Sequence, residues 1–176
     1  MQQLAGGRLR SQTRVSSVPI SELYEEIRAA AEAYPVKRSA IMPALHLAQR
    51  HYGWLPPEAF REVADALDLT PAYCQAVASF YDMYHLEPVG EHLVEVCTNI
   101  SCALVGAQKV LDAFERELGV SPGDTSEGGR FTLRTLECAG GCGWGTVVAV
   151  DHRYRERVTA DDVPGIVAEL RNGDGD

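Results

Sequence analysis

Four of the five cysteines in this 176-residue chain form two close pairs. Four residues separate Cys97 from Cys102, and three separate Cys138 from Cys142; 35 residues lie between the pairs. Four thiolates brought together suit zinc or an iron–sulfur cluster. The stretch Cys138-Ala139-Gly140-Gly141-Cys142-Gly143-Trp144-Gly145 carries four glycines. They let the backbone wrap closely and turn its amides toward sulfur. Thr98-Asn99-Ile100-Ser101, inside the first pair, offers further hydroxyl and amide donors. Such donors stabilise the negative charge on thiolate and sulfide, and a redox centre gains more from that than structural zinc does. The chemistry therefore leans to a [2Fe–2S] cluster, with structural zinc and redox-active or inert thiols as the alternatives. A dithiol redox motif wants two intervening residues, which neither pair has. A [2Fe–2S] core on four thiolates is an anion that gains one further charge on reduction, so it can pass one electron without a substrate pocket. The second half offers no nucleophile–base–orienter set for hydrolysis, and no catalytic residue is assigned.

These cysteines need elements to bring them together. A strand is expected over 92–97, with Leu93, Val94 and Val96 buried, and it ends at Cys97. A helix is expected over 103–118, with Leu104, Ala107, Val110, Leu111, Phe114 and Leu118 on one side and Gly119 as its C-cap. Strands are expected over 131–137, 147–150 and 154–158, a loop over 120–130, and a last helix from 159 to 170 with Asp162 in a capping position. Each cysteine pair would then follow a strand, and adjacent strands would bring both pairs to one end of a sheet. The first half reads as four helices, over 21–34, 39–51, from 57 onward, and 71–79. Ser21 and Thr70 are N-caps, Pro71 suits N1, and Gly53 ends the second helix. The expected architecture is α+β, a helical bundle over 20–88 followed by a sheet domain over 89–172, with a tail at 1–19.

Charge follows the same division. Residues 1–90 hold 8 basic and 10 acidic side chains, and residues 91–176 hold 8 and 15, within a net charge of −9. That balance disfavours a non-specific nucleic-acid binder. With 45% hydrophobic and 23% charged residues, the chain is not expected to be disordered. No stretch reaches the roughly 18 apolar residues of a membrane span, and 1–19 has no apolar signal core. Together with free thiols this predicts a cytoplasmic location.

Val96-Cys97-Thr98-Asn99-Ile100-Ser101-Cys102 and Leu136-Glu137-Cys138-Ala139-Gly140-Gly141-Cys142-Gly143 resemble the two cluster motifs of the 24 kDa subunit of NADH:quinone oxidoreductase, respiratory complex I. Ala44-Leu45-His46-Leu47-Ala48-Gln49, Gly53-Trp54-Leu55-Pro56, Val77-Ala78-Ser79-Phe80-Tyr81 and Leu86-Glu87-Pro88-Val89-Gly90 extend the resemblance, which covers about residues 20–170. It implies a thioredoxin-like second domain holding a [2Fe–2S] cluster through Cys97, Cys102, Cys138 and Cys142. It also implies a flavoprotein partner that binds FMN and NADH and carries a [4Fe–4S] cluster, within a larger respiratory complex associated peripherally with the membrane. The equivalent subunit of an NAD-dependent formate dehydrogenase or hydrogenase is the nearest alternative, and a zinc-stabilised interaction module the more distant one. A homodimer is possible for the isolated chain. Two departures stand out: Gly145-Thr146 where the family often has Ala-Pro, and Ala139-Gly140-Gly141 where it often has Leu-Gly-Ala. All four ligand positions remain, so the departures bear on reduction potential.

Other residues have plainer expectations. Cys74 reads as core, His46 and His51 as core edge or solvent, His85 and His92 as structural, and Trp54 as a packing anchor. Phe80, Tyr81, Met83 and Tyr84 read as core or domain seam more than partner surface. Trp144 could shield the cluster or meet a partner. The acidic excess of the second half is either a solvated face or a complement to a basic partner.

Overall fold

The computed structural model describes residues 21–173, and the expected tail at 1–19 lies outside them. Helix α1, Glu22–Ala31, starts where the Ser21 hydroxyl accepts the Tyr24 amide at 3.0 Å. It ends three residues before the expected stop. The amides of Ala33 and Tyr34 turn to carbonyls three residues back, the tight winding that a chain approaching Pro35 adopts. After a 3₁₀ turn at Lys37–Ala40, α2 runs Ile41–Tyr52 and stops at Gly53, whose φ is 79°. Helix α3, Pro57–Leu67, has proline in its first turn. Helix α4, Pro71–Ala78, is capped by Thr70. Leu23, Ile27, Leu45, Leu55, Val63 and Leu67 fill the core between them, and Cys74 lies within it as expected. Burial pushes the Cys74 thiol up to about 11, which keeps it an inert apolar group.

The second half is a four-stranded sheet in the order β2-β1-β3-β4. Strands β1, His92–Cys97, and β2, Phe131–Leu136, are parallel, with His92 opposite Phe131 and Cys97 opposite Leu136. Strands β3, Val148–Val150, and β4, Arg153–Arg155, continue antiparallel. Helices α5, Ile100–Leu104, and α6, Ala107–Leu118, connect β1 to β2. Helix α7, Val163–Asn172, packs beside α6. Val94, Val96, Phe114, Leu133, Val148, Val150 and Val167 form the core beneath these helices. The loop over 120–130 folds back on β2: Ser126 and Phe131 pair at 2.8 Å, and the Leu133 amide donates to Asp124 at 3.2 Å. These bonds occupy an edge that would otherwise expose its backbone groups.

Three expectations shift. The helix expected over 103–118 is broken at Val105 and Gly106, where φ reaches 108°, a value that residues with a β-carbon rarely adopt. The break turns Leu104 outward to 82% exposure, although its spacing matches the buried face of α6. The last strand sits at Arg153–Arg155: the two-residue hairpin at Asp151 and His152, with φ of 49° and 66°, starts it at 153, and it ends short of the expected 158, where its partner β3 begins and Arg157 turns to φ 55°. The last helix starts at Val163 because the Asp162 carboxylate accepts from both the amide and the hydroxyl of Thr159, at 2.8 and 2.6 Å, and closes a turn first.

His85, 4% exposed, joins the two halves. Its amide donates to Gln49 Oε1 at 2.7 Å, and its carbonyl accepts from Leu55 at 2.8 Å. On the sheet side, Arg134 Nη1 lies 3.0 Å from His85 Nδ1, and the His152 ring stacks at 6.0 Å. Arginine has no acceptor, so Nδ1 accepts and the His85 proton resides on Nε2. Burial holds the His85 pKa down to about 4, with the charges of Arg134 and His152 adding to the effect. Glu95, opposite Arg134 in the β1–β2 register, is raised by burial and drawn back by Arg134 and His152.

The folded state thus keeps His85 neutral where the unfolded chain protonates it, below about pH 6.5. Its contribution to stability is full above that pH and falls as the pH drops toward 4. Between pH 7.5 and 5.5 the loss amounts to about 1 kcal/mol. Urea unfolding at the two pH values should show it, and His85→Gln should flatten the difference. An equal difference in the variant would assign the effect elsewhere.

Candidate metal centre

Strand β1 delivers Cys97 to the end of the sheet, where its amide donates to the Val147 carbonyl at 3.0 Å. The chain then crosses to β2 as the Thr98 amide bonds to Leu136 at 3.1 Å. Asn99 caps α5, accepting the Ile100 amide at 2.9 Å, and one turn later Cys102 faces inward. Both sulfur-bearing residues are buried, at 3% and 2% exposure. Strand β2 ends beside Cys97 and releases the second motif directly above it. Ala139 packs with Cys97, Cys102, Ala107 and Val147 in a small apolar cluster. That anchor draws the Cys138–Cys142 loop over the first pair. Gly140, at φ 73°, donates its amide to Cys138 Sγ at 3.4 Å. A β-carbon on Gly141 would meet Val147 Cγ2 at 2.8 Å, and one on Gly145 would lie 3.5 Å from Cys102 Sγ. The first approach is closer than a β-carbon tolerates, so Gly141 lets the loop pass Val147, and the second shows how near Gly145 runs to Cys102.

Burial pushes the Cys102 thiol up, the Val147 backbone pulls it down, and Cys97 and Cys142 push it up again. Cys97 and Cys102 are buried in one apolar cluster, and Cys142 is exposed. Cys138 is exposed at the rim, its sulfur held by its own loop. All five cysteines are free thiols. Among the described residues, no group of three or more His, Cys, Asp or Glu side chains is gathered closely enough to hold a metal ion. The donor set nevertheless fits a thiolate-bound group. It is sulfur throughout, lies at one end of the sheet, and sits against glycines that leave room for a bound body.

The surroundings correct part of the expectation for this region. Ile100, Leu104, Val105 and Trp144 are all large, apolar and exposed around the thiols. Trp144 is about half exposed and sits in the 3₁₀ turn Cys142–Trp144, a position open to a partner as well as to the cluster site. Phe80, Tyr81 and Met83 are exposed too, and only Tyr84 of that group is buried, its hydroxyl donating to the Met42 carbonyl at 3.0 Å. The grouping of Ile100, Leu104 and Val105 is hidden in the sequence because their spacing continues the buried stripe of the following helix. Gly106 is the one signal that could have revealed it.

The sequence profile of the thioredoxin-like [2Fe-2S] ferredoxin family matches residues 27–171. An NADH-quinone oxidoreductase subunit of Rhizobium meliloti (strain 1021) is 40% identical over 147 residues, which cover 84% of this chain and 88% of that protein. NADP-reducing hydrogenase subunit HndA of Solidesulfovibrio fructosivorans is 36% identical over 147 residues, covering 84% and 86%. The chain spans 55% of an NADH-quinone oxidoreductase subunit of Mycobacterium bovis, to which it is 41% identical over 139 residues. In structure it resembles a chain of an NAD+-reducing [NiFe]-hydrogenase in the air-oxidized state, with a TM-score of 0.68 and 20% identity, covering 76% of this chain and 23% of that one. At that identity the likeness concerns the fold alone. The chain belongs to the thioredoxin-like [2Fe-2S] ferredoxin family, alongside its relatives from NADH-quinone oxidoreductase, and is an electron-transfer subunit of an oxidoreductase complex.

Proposed function

We propose that Cys97, Cys102, Cys138 and Cys142 together hold one [2Fe–2S] cluster at the end of the β1–β2 pair. The observation that carries this reading is the packing of Ala139, inside the Cys138–Cys142 loop, against the buried Cys97 and Cys102 at the end of the β1–β2 pair. The bound group would supply reversible one-electron chemistry. The chain's own residues do the rest. Cys97 and Cys102 close the inner side against water, Cys138 and Cys142 close the outer side, and the amides of the glycine loop offset negative charge. The position near the surface, ringed by Ile100, Leu104, Val105 and Trp144, brings the site close to whatever protein covers them.

That protein is, in this reading, a flavoprotein subunit that binds FMN and NADH and carries a [4Fe–4S] cluster, within the NADH-oxidising module of NADH:quinone oxidoreductase. No helix among the described residues is long and apolar enough to cross a membrane; in this reading the complex carries the chain to the membrane. The likeness to a hydrogenase subunit over 86% of its length favours one second reading, the equivalent subunit of an NAD(P)-linked hydrogenase or formate dehydrogenase. Co-purification of the native complex, with identification of its catalytic subunit, separates the two. We also propose that the helical and sheet parts divide at 88 and 89, as their separate cores support.

Full-length protein purified anaerobically should be reddish-brown, with about two irons and two sulfides per chain and a rhombic one-electron signal after dithionite. Colourless protein with about one zinc would establish the interaction-module alternative instead. Cys97→Ser and Cys102→Ser should lose the cluster, and Cys138→Ser at the open rim should retain a more labile one. Gly141→Ala must displace the buried Val147 side chain. It should lower iron content and cost about 1–3 kcal/mol in stability. Unchanged iron content in this variant would contradict the close packing assigned to the loop.

A further inference from the structure

Thr146 lies between the second cysteine loop and β3 and is 2% exposed. Its backbone carbonyl accepts the Val158 amide at 3.0 Å. Its hydroxyl oxygen is a buried side-chain polar atom with no hydrogen-bond partner among the described residues. An unpaired buried hydroxyl is costly and calls for an acceptor. Both flanking residues touch the thiol site. A β-carbon on Gly145 would stand 3.5 Å from Cys102 Sγ, while the Val147 carbonyl accepts the Cys97 amide and the Val147 side chain backs Gly141. The hydroxyl is therefore set into a segment flanked by Gly145, which runs beside Cys102, and by Val147, which is bonded through its carbonyl to Cys97. The acceptors characteristic of that place are sulfurs, which accept hydrogen bonds more strongly as their negative charge grows.

We propose that the Thr146 hydroxyl donates a hydrogen bond to the sulfur set around Cys102 once the cluster is bound, and so raises its reduction potential. This rests on the four-cysteine reading above. Reduction adds one negative charge to the cluster and moves no proton from Thr146, so the donor favours the reduced state. Thr146 is a tuning residue and contributes no ligand.

Redox titration of full-length protein, followed by the paramagnetic signal of the reduced cluster, tests the proposal. Thr146→Val keeps the shape and removes the donor, and should make reduction about tenfold less favourable, which is about 59 mV lower for a one-electron couple. Thr146→Ser should titrate close to the unmodified protein. Equal potentials for the unmodified protein and Thr146→Val would overturn the proposal. If Thr146→Val does not retain its cluster, Thr146→Ala serves as the second apolar variant. Loss of the cluster from both, with Thr146→Ser intact, would assign the hydroxyl to holding the loop and overturn the tuning role. Absence of iron and sulfide from the unmodified protein would instead remove the four-cysteine reading on which the inference stands.

Discussion

The in-register parallel pairing of β1 with β2 is the constraint on which the site depends. Parallel strands end at the same edge of a sheet, so the segments that follow them start side by side. Cys97 stands opposite Leu136, and each cysteine pair follows directly. A one-residue slip of β1 would turn Val94 and Val96 away from the helices and carry Cys97 to the other face. The register that buries the core thus also positions the thiols. Parallel strands need a crossover, which α5 and α6 supply. The break between those helices adds a function to the connection, because α5 carries Cys102 inward while Leu104 and Val105 face outward.

The helical half is coupled to this sheet through a few specific contacts. His85 bonds to Gln49 and Leu55 on one side and to Arg134 on the other. Gly90 passes so near β2 that a β-carbon would meet the Phe131 backbone at 2.9 Å. Arg134 lies two residues before the end of β2, so the seam and the thiol site share a strand. The exposed Phe80, Tyr81 and Met83 add apolar surface on the helical half.

Much of this was legible in the sequence where local chemistry dictates the backbone. Ser21 and Thr70 announce helix starts through side chains that satisfy free amides, and Gly53 and Gly119 announce helix ends through a conformation that glycine adopts freely. The four cysteines could be picked out by type and spacing, and the strands before them by the buried apolar residues Leu93, Val94 and Val96 in one and Phe131 and Leu133 in the other. Features set by distant partners were hidden. Gly106 interrupts a helical pattern that is regular on both sides. Asp151-His152 forms a glycine-free hairpin because the Asp151 carboxylate is taken by the Leu93 amide and His92, each at 2.8 Å. His85 carries no sequence mark of burial, because its partners come from α2, β2 and the hairpin.

Two irons held by four cysteine sulfurs at this edge would have a distinct signature in X-ray absorption at the iron edge, on protein purified anaerobically. The expected result is an all-sulfur shell of about four atoms around each iron and a second iron as near neighbour. A shell with nitrogen or oxygen ligands and no neighbouring iron, or zinc in place of iron, would contradict it.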